Sequence, residues 1–283
     1  MKLDELFQEG VNDPHIFKAV FMAGAAGSGK TYVARKMLDG TGLRAVNSDI
    51  AFEYLMNKEN LRKDMPPEEK EKRDQARDRA KELTGKQEDL YIDGRLGLII
   101  DGTGKNLDKI QSINQRLKGI GYETKMLFVN TDLETSLQRN QSRFDNEGGR
   151  KVDPEITKDS HKQTQKNMML YQQEFSAKDF YIIDNSDGQE DDSKKENFLF
   201  AWTELRSWLG KKPSHPLAVQ WQRTNSFKQP GVQIGQVGQR KSDPTSPLSG
   251  SGDWGTSSQR AYKMKRASDF TQQAVKAKKQ TKT

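Results

Sequence analysis

The chain has no cysteine and few hydrophobic residues for its length of 283 residues. Without cysteine it forms no disulfide and offers no thiolate ligand to zinc, which suits a reducing compartment, and we expect a cytoplasmic protein. Only 32% of the residues are hydrophobic, whereas 31% are charged, so part of the chain has too little apolar surface to bury a core. No apolar run approaches the length of a membrane span, and the first residues are acidic. We therefore expect no membrane-spanning helix and no signal peptide.

Positive charge is concentrated in the C-terminal quarter of the chain. Residues 211–283 contain 14 lysines and arginines against three aspartates, a net charge of +11, whereas residues 1–210 carry a net charge of −4. The C-terminal quarter is rich in Gly, Gln, Ser and Pro and has no hydrophobic periodicity, apart from one possible basic helix within 258–279. We therefore predict a folded body, 1–210, followed by a basic, mostly disordered tail, 211–283, that binds nucleic acid.

Within the body, apolar segments alternate with amphipathic or charged ones, which predicts an α/β fold with a parallel sheet covered by helices. The predicted strands are 17–23, 43–47, 96–101, 123–129 and 179–183. The predicted helices are 30–38, 67–84, 107–119, 132–143, 155–176 and 194–209. The charged segment 57–95 is too long for a simple connection between strands, and we interpret it as a helical insertion beside the nucleotide site.

Residues 24–31, with the sequence GAAGSGKT, match the phosphate-binding loop G-x-x-x-x-G-K-[ST] and follow a predicted strand. In such a loop the backbone N–H groups surround the phosphates, the lysine adds a positive charge, and the last hydroxyl ligates Mg²⁺. A glycine-rich turn with an incidental lysine is the alternative. We predict a P-loop that binds ATP and Mg²⁺. Its binding residues would be Gly24, Gly27, Ser28, Gly29, Lys30 and Thr31, with Lys30 also acting on the transferring phosphoryl group and Thr31 on the metal.

Two acids follow the next predicted strands. Asp49 ends the second strand, where its carboxylate can accept the proton of a hydroxyl that attacks the γ-phosphate, or alternatively cap the following helix. Asp101 ends the third strand, which is typical of the Mg²⁺ site of a P-loop enzyme. The residues after it, including Thr103 and Lys105, would then reach the substrate, although Asp-Gly-Thr-Gly can also be a simple turn.

Basic residues cluster after the fourth predicted strand. Arg139 and Arg143 are four residues apart and therefore project from one face of a helix. Arg150 follows a pair of glycines. We predict that 139–155 is a lid that closes over the nucleotide, with Arg139 and Arg143 in catalysis and Arg150 in ATP binding. The alternative is a solvated basic face paired with acids of the same helix, Glu134 and Asp145.

These motifs together resemble a known kinase group. The segments GAAGSGKT, VNSD, LIIDGTGKN, GYETKMLFVN, QRNQSR and GRKVDPEI follow one another across residues 17–186. In this order they are similar to the P-loop kinases that include phage polynucleotide kinase and the zeta toxins. Two positions differ: polynucleotide kinase has an arginine where this chain has Phe52, and zeta toxins usually have glutamate in place of Asp101.

The resemblance implies roles for individual residues. It implies that Asp49 is the catalytic base, that Lys30 and Thr31 hold ATP and Mg²⁺, and that Arg139 and Arg143 stabilise the transferring phosphoryl group. The segment FYIIDNS near residue 183 resembles the last strand and turn of these kinases, close to the adenine. This segment adds Asn185 to the predicted ATP-binding residues.

Three classes of function are compatible with the sequence. The first is an ATP-dependent kinase that phosphorylates a hydroxyl on a nucleic acid, either a 5′-hydroxyl or a hydroxymethylated base, which the basic tail favours. The second is the same reaction on a small molecule, such as a nucleotide sugar or a nucleoside. The third is a non-catalytic nucleotide-binding assembly protein, which Asp49, Asp101 and the two arginines disfavour.

Overall fold

The computed structural model describes residues 10–187 and 192–226, and within these ranges the chain forms five β-strands and eight α-helices. The strands are β1 (Lys18–Ala23), β2 (Arg44–Val46), β3 (Leu98–Asp101), β4 (Glu123–Asn130) and β5 (Phe180–Asp184). The helices are α1 (Lys30–Leu38), α2 (Ser48–Lys58), α3 (Lys70–Asp93), α4 (Leu107–Gly119), α5 (Leu133–Glu147), α6 (Pro154–Phe175), α7 (Asp192–Leu209) and α8 (Pro216–Ser226). The predicted α/β fold with a parallel sheet is confirmed.

The five strands form one sheet in the order β2-β3-β1-β4-β5, and every neighbouring pair is parallel. β1 is central and is buried along its whole length. Parallel strands require crossover connections, which the helices supply, so both faces of the sheet are covered. This arrangement places the carboxyl ends of β1, β2 and β3, with the loops that follow them, at one edge.

The core has one cluster on each face of the sheet. On one face, residues of α4, α6 and α8 pack against β1, β3 and β4, as Leu117, Tyr171 and Phe175 illustrate. On the other face, α1 and α7 contribute Val33, Met37, Leu205 and their neighbours. A third and smaller cluster joins α2 to α3, where Phe52 packs with Ala76 and Ala80. The segment predicted as an insertion is therefore a helix with its own contact to the helix that carries Asp49.

The predicted start of the tail, residue 211, is too early, because a helix of the body follows it. α8 falls within 211–283, but Ala218 is buried, and the Trp221 ring lies edge-on to Phe17 with ring centroids 5.3 Å apart. Residues 216–226 thus belong to the body, because about three turns of helix suffice to bury one small apolar stripe that the surrounding Pro, Ser and Gln conceal in the sequence. Residues 227–283, including the predicted basic helix, lie outside the described residues. No helix in the described part of the chain is both long and apolar enough to cross a membrane.

A lysine lies inside the first strand. The Lys18 side chain is fully buried, and its ammonium group donates hydrogen bonds to the carbonyl oxygens of Trp208 and Lys211 at the end of α7. Burial lowers the pKa of Lys18 to about 8, although the charge of Glu123 opposes this shift. The lysine thus joins the start of β1 to the end of α7.

The buried lysine predicts a pH dependence of stability. Between pH 8 and 10.5, the lowered and ordinary pKa of Lys18, the unfolded chain holds a proton that the folded chain has released. The unfolding free energy therefore rises with pH in this window. Relative to a Lys18→Met variant, the native protein should gain about 2 kcal/mol between about pH 7 and about pH 10, as measured by urea unfolding.

The matched control is Lys72→Met, which removes an exposed lysine of α3. Its difference from the native protein should stay constant over the same pH range. Parallel pH profiles for the native protein and Lys18→Met would contradict the prediction.

Candidate active site

The phosphate loop connects β1 to α1 in the predicted position. Gly27 and Gly29 both have the left-handed backbone conformation, with φ of 83° and 82°. A Cβ atom at Gly27 would lie 2.2 Å from the carbonyl oxygen of Ser136, and one at Gly29 would lie 2.2 Å from Nδ2 of Asn185. The loop therefore requires glycine at both positions, for backbone conformation and for space. Lys30 folds back over it, where its Nζ donates to the carbonyl oxygens of Gly24 at 2.6 Å and Ala25 at 3.2 Å.

Two side chains at the ends of neighbouring strands hold this loop from outside. The carbonyl oxygen of Ser28 accepts hydrogen bonds from Thr131 Oγ1 at 3.1 Å and from Asn185 Nδ2 at 2.8 Å. Asn185, predicted to bind ATP, thus lies against the phosphate loop, with its amide directed to the backbone of that loop. Its place in the structure supports a role in shaping the nucleotide site.

Asn47 connects the two acids of the site. Its Oδ1 caps α2 by accepting from the backbone N–H of Asp49 at 2.7 Å, and its Nδ2 donates to Oδ2 of Asp101 at 2.6 Å. The alternative interpretation of Asp49 as the cap of α2 is therefore wrong, because Asn47 does this and leaves the Asp49 carboxylate available. Asn47 is not among the predicted site residues, although an Asn before an apolar helix is a recognisable cap signal.

Lys30 and Asp101 share a poorly solvated environment. Burial lowers the pKa of Lys30, an effect that the charges of Asp101 and Asp49 oppose, and burial raises the pKa of Asp101, which Lys30 opposes. Oδ1 of Asp101 is buried and has no hydrogen-bond partner. An orphaned carboxylate oxygen and the Thr31 hydroxyl are hard oxygen donors of the kind that Mg²⁺ prefers, so the predicted metal residues fit the ion. Within the described ranges, no group of three or more His, Asp or Glu residues forms an additional metal site.

The Asp49 carboxylate lies between two arginines. Its Oδ1 accepts from Arg77 Nη1 of α3 and from Arg150 Nη2, each at 2.9 Å. Both guanidinium groups lie over the buried ring of Phe52, at 4.2 Å and 5.3 Å from its centroid. Burial tends to raise the pKa of Asp49, but Arg150 and Arg77 outweigh it and hold the pKa below its ordinary value. Asp49 is therefore ionised at neutral pH.

The two arginines of α5 contact acids outside their own helix. Arg139 forms an ion pair with Asp187, and its Nη1 is buried without a partner. Arg143 Nη2 lies 3.7 Å from Oε1 of Glu53 on α2. The alternative of a basic face paired with Glu134 and Asp145 is wrong, because those two acids accept from Gln138 and Gln141 instead.

The loop after α5 is attached to the connection between α2 and α3. α5 ends at Glu147, and the next residue, Gly148, caps it in a left-handed conformation. The carbonyl oxygen of Gly148 accepts from Lys63 Nζ at 2.6 Å, and the Lys63 carbonyl accepts from the backbone N–H of Lys151 at 2.7 Å. Within the segment predicted as a lid, Arg150 thus binds Asp49, and the backbone of Gly148 and of Lys151 binds Lys63.

The predicted substrate residues lie on the loop after β3. The carbonyl oxygen of Thr103 accepts from the backbone N–H of Gly24 at 3.2 Å, so this loop contacts the phosphate loop directly. Lys105 is exposed, 3.8 Å from Asp159 Oδ2, and borders an open cavity of about 440 Å³ between this loop and α6. The other residues that line the cavity are Asn106, Leu107, Asp108, Asp159, Gln163 and Asn167.

The sequence profile of the Zeta toxin family matches residues 8–192, well over half of the chain. The chain belongs to the zeta toxin family. This membership confirms the predicted zeta-toxin-like P-loop kinase, and with it an ATP-dependent kinase. Phage origin and polynucleotide specificity stay predictions. A search among curated proteins gives no match.

Three solved structures illustrate what this zeta-toxin-family chain resembles. A chain of the Pnkp1/Rnl/Hen1 RNA repair complex is 20% identical, with a TM-score of 0.43, and the match covers 55% of this chain and 46% of that one. A putative kinase from Chloroflexus aurantiacus is 13% identical, with a TM-score of 0.47, and the match covers 67% of this chain and 97% of that one. A chain of the PezAT toxin–antitoxin system of Streptococcus pneumoniae is 17% identical, with a TM-score of 0.41, and the match covers 73% of this chain and 92% of that one. The chain spans less than half of the RNA repair chain that it matches.

The two bonds of Asn47 can be separated by mutation. Asn47→Ser keeps a capping oxygen but loses the donor to Asp101, and Asn47→Ala loses both. Loss of the donor should lower the unfolding free energy by about 1–3 kcal/mol, because it leaves a buried carboxylate oxygen unpaired. Loss of the cap should remove about 1 kcal/mol more.

Urea unfolding of the native protein and the two variants measures both steps. The expected order of stability is native protein, Asn47→Ser, then Asn47→Ala. Equal midpoints for the native protein and Asn47→Ser would mean that the bond to Asp101 contributes nothing.

Proposed function

We propose that the protein transfers the γ-phosphoryl group of ATP to a hydroxyl of a nucleic acid, either a 5′-hydroxyl or a hydroxymethylated base. The observation that carries this proposal is the state of Asp49. Two arginines hold its Oδ1, whereas its Oδ2 accepts no hydrogen bond from any described residue. An ionised, oriented carboxylate with one open oxygen, at the same sheet edge as the phosphate loop, suits a general base for an attacking hydroxyl.

In the proposed reaction, the acceptor oxygen attacks the γ-phosphorus as the bond from this phosphorus to the β–γ bridging oxygen breaks. ADP leaves, and the hydroxyl proton passes to Oδ2 of Asp49. Lys30 would exchange its contacts with the Gly24 and Ala25 carbonyls for the phosphates. Arg139 and Arg143 would balance charge on the transferring oxygens, for which Arg139 holds an unpaired buried donor.

Thr31 and Asp101 would hold the Mg²⁺ of the nucleotide. A bound Mg²⁺ would neutralise part of the phosphate charge and fix the orientation of the β- and γ-phosphates. The buried oxygen of Asp101 without a partner supports this assignment.

Two features bear on the acceptor. Residues 227–283 contain 11 lysines and arginines against three aspartates, a polycation suited to phosphate backbones. The cavity beside Lys105 opens to solvent, so the end of a longer chain can enter it. Its volume of about 440 Å³ also suits one small molecule, and a nucleotide sugar or nucleoside is therefore the second candidate. A non-catalytic assembly role is disfavoured, since nucleotide binding alone requires no ionised carboxylate held in this way.

Replacing the base should separate chemistry from binding. Asp49→Asn keeps the size of the side chain but cannot accept the proton, so kcat for phosphorylation of a 5′-hydroxyl oligonucleotide should fall by on the order of a hundredfold or more. Affinity for ATP, measured by calorimetry, should change little.

Asp74→Asn, on an exposed position of α3, is the matched control and should leave both quantities unchanged.

Lys30→Ala should lower turnover by on the order of a hundredfold, with labelled ATP as the readout. Turnover that persists in both site variants would overturn the roles assigned to Asp49 and Lys30, and absence of turnover in the native protein would overturn the kinase proposal.

The C-terminal segment should act through its charge. A chain that ends at Ser226 keeps α8, and we expect it to fold and to bind ATP. Its affinity for a 5′-hydroxyl single strand of about 30 nucleotides should fall, and the salt dependence of that affinity should flatten, because fewer counterions are released.

A full-length variant with seven glutamines separates charge from length. It replaces the basic residues of the predicted helix: Arg260, Lys263, Lys265, Arg266, Lys276, Lys278 and Lys279. This variant should behave like the shortened chain if charge is responsible. Affinities and salt slopes equal to those of the native protein in both variants would favour the small-molecule acceptor.

A further inference from the structure

The buried face of α6 is polar where it meets the loop after β3. Thr164, Asn167 and Tyr171 follow one another at intervals of three and four residues, so they lie on one face of the helix, and all three are buried. A buried polar group lowers stability unless it is hydrogen-bonded, and apolar side chains at these positions would avoid that cost. The partners of these three side chains therefore indicate what they do.

Two of these side chains bind consecutive carbonyl groups of the loop. Thr164 Oγ1 donates to the carbonyl oxygen of Thr103 at 2.7 Å, and the hydroxyl of Tyr171 donates to that of Gly104 at 2.6 Å. Burial raises the pKa of Tyr171 to about 12, so its hydroxyl keeps its proton and remains a donor at neutral pH. Both bonds are short, and both acceptors belong to the backbone.

Asn167 completes the attachment of the loop to α6. Its Nδ2 donates to the carbonyl oxygens of Gly104 at 3.1 Å and of Lys105 at 2.9 Å. The loop is also tight against β1, because Gly104 has φ of 75° and a Cβ atom there would lie 2.7 Å from Cβ of Ala23. The backbone of this loop is therefore fixed from two sides and cannot shift without breaking buried hydrogen bonds.

The side chains of the same loop take no part in this attachment. Thr103 is partly buried, and its hydroxyl donates no hydrogen bond to any described residue, whereas Lys105 is exposed and lies 3.8 Å from Asp159 Oδ2. The Thr103 carbonyl also accepts from the backbone N–H of Gly24, which fixes the loop relative to the phosphate loop. A backbone held through its carbonyls, with side-chain donors left available, is suited to orienting those donors toward a ligand.

We propose that Thr164 and Tyr171 are positioning residues for the acceptor. They hold the Thr103 hydroxyl and the Lys105 ammonium group beside the phosphate loop, where these two groups contact the acceptor. This inference rests on the proposed kinase function and applies equally to a nucleic-acid end and to a small molecule. A pair that only satisfied buried carbonyls would contribute to stability and leave acceptor binding unaffected.

Steady-state kinetics of the full-length protein test this role, with a 5′-hydroxyl oligonucleotide, a nucleoside and a nucleotide sugar as acceptors. For an acceptor that the native protein phosphorylates, Tyr171→Phe and Thr164→Val should each raise KM by about three- to tenfold, the effect of one hydrogen bond. The KM for ATP should stay within about twofold of the native value, because the phosphate loop keeps its own contacts. Thr164→Ser returns the hydroxyl and should restore most of the acceptor KM.

The matched control is Tyr122→Phe. Tyr122 is also buried, and its hydroxyl donates to the carbonyl oxygen of Leu96 at 3.0 Å, before β3 and β4 and therefore at the opposite edge of the sheet. Tyr171→Phe and Tyr122→Phe should lower the urea midpoint by similar amounts, since each removes one buried hydrogen bond to a carbonyl. The control should nevertheless leave both KM values unchanged.

A second measurement reports on the loop without catalysis. The chain has no cysteine, so Lys105→Cys introduces a single thiol at an exposed position, and a nitroxide label can be attached there. Electron paramagnetic resonance should show a more mobile label when Tyr171→Phe is added. The label should keep its native mobility when Tyr122→Phe is added.

Three results would overturn the positioning role: an acceptor KM that is unchanged in both Tyr171→Phe and Thr164→Val, an equal rise in Tyr122→Phe, or a label whose mobility does not respond to Tyr171→Phe. Failure of the kinase proposal is distinguishable. A native protein that phosphorylates none of the three acceptors would overturn that proposal and the acceptor role together, whereas the mobility of the label still tells whether α6 holds the loop.

Discussion

Parallel pairing of β1 with β3, and of β3 with β2, is the constraint on which the candidate site depends. It brings the phosphate loop after β1, Asp49 after β2 and Asp101 at the end of β3 to one edge of the sheet. Residues up to 77 positions apart in sequence thereby act within one small volume. The side chain of Asn47 then fixes the loops at this edge by two hydrogen bonds, and the Thr131 hydroxyl holds the phosphate loop by one to Ser28, so local geometry follows from strand order.

The charged side chains at this edge of the sheet suit a ligand with several negative charges. Lys30 and Asp101 are both poorly solvated and each favours the charged form of the other, while the arginines of α5 reach across to acids on α2 and after β5. These ion pairs leave some guanidinium N–H groups without an acceptor, as Nη1 of Arg139 illustrates. Phosphate oxygens can replace these partners at modest cost, because the exposed pairs are individually weak.

Much of the fold could be predicted from the sequence because its signals are local. Strand patterns, the phosphate loop and the acids that end two strands all lie within short windows, and the α1 and α4 bounds match the structure. Lys18 could not be predicted to be buried, since the groups that make burial tolerable, the carbonyls at the end of α7 and the charge of Glu123, are distant in sequence. Arg77 is one of many charged residues in a long helix, and nothing near it in the sequence indicates that it meets Asp49 over Phe52.

The attachment of the loop after α5 has a consequence for how ligands influence one another. Arg150 and Lys151 are adjacent, and Arg150 binds the Asp49 carboxylate while Lys151 binds the backbone of Lys63 before α3. A ligand that draws this loop toward the nucleotide would therefore also alter its contacts with the α2–α3 side. Thermodynamic linkage makes the effect reciprocal, so the factor by which ATP changes acceptor affinity equals the factor by which acceptor changes ATP affinity. One short loop can thus make the occupancy of two pockets cooperative without any rearrangement of the sheet.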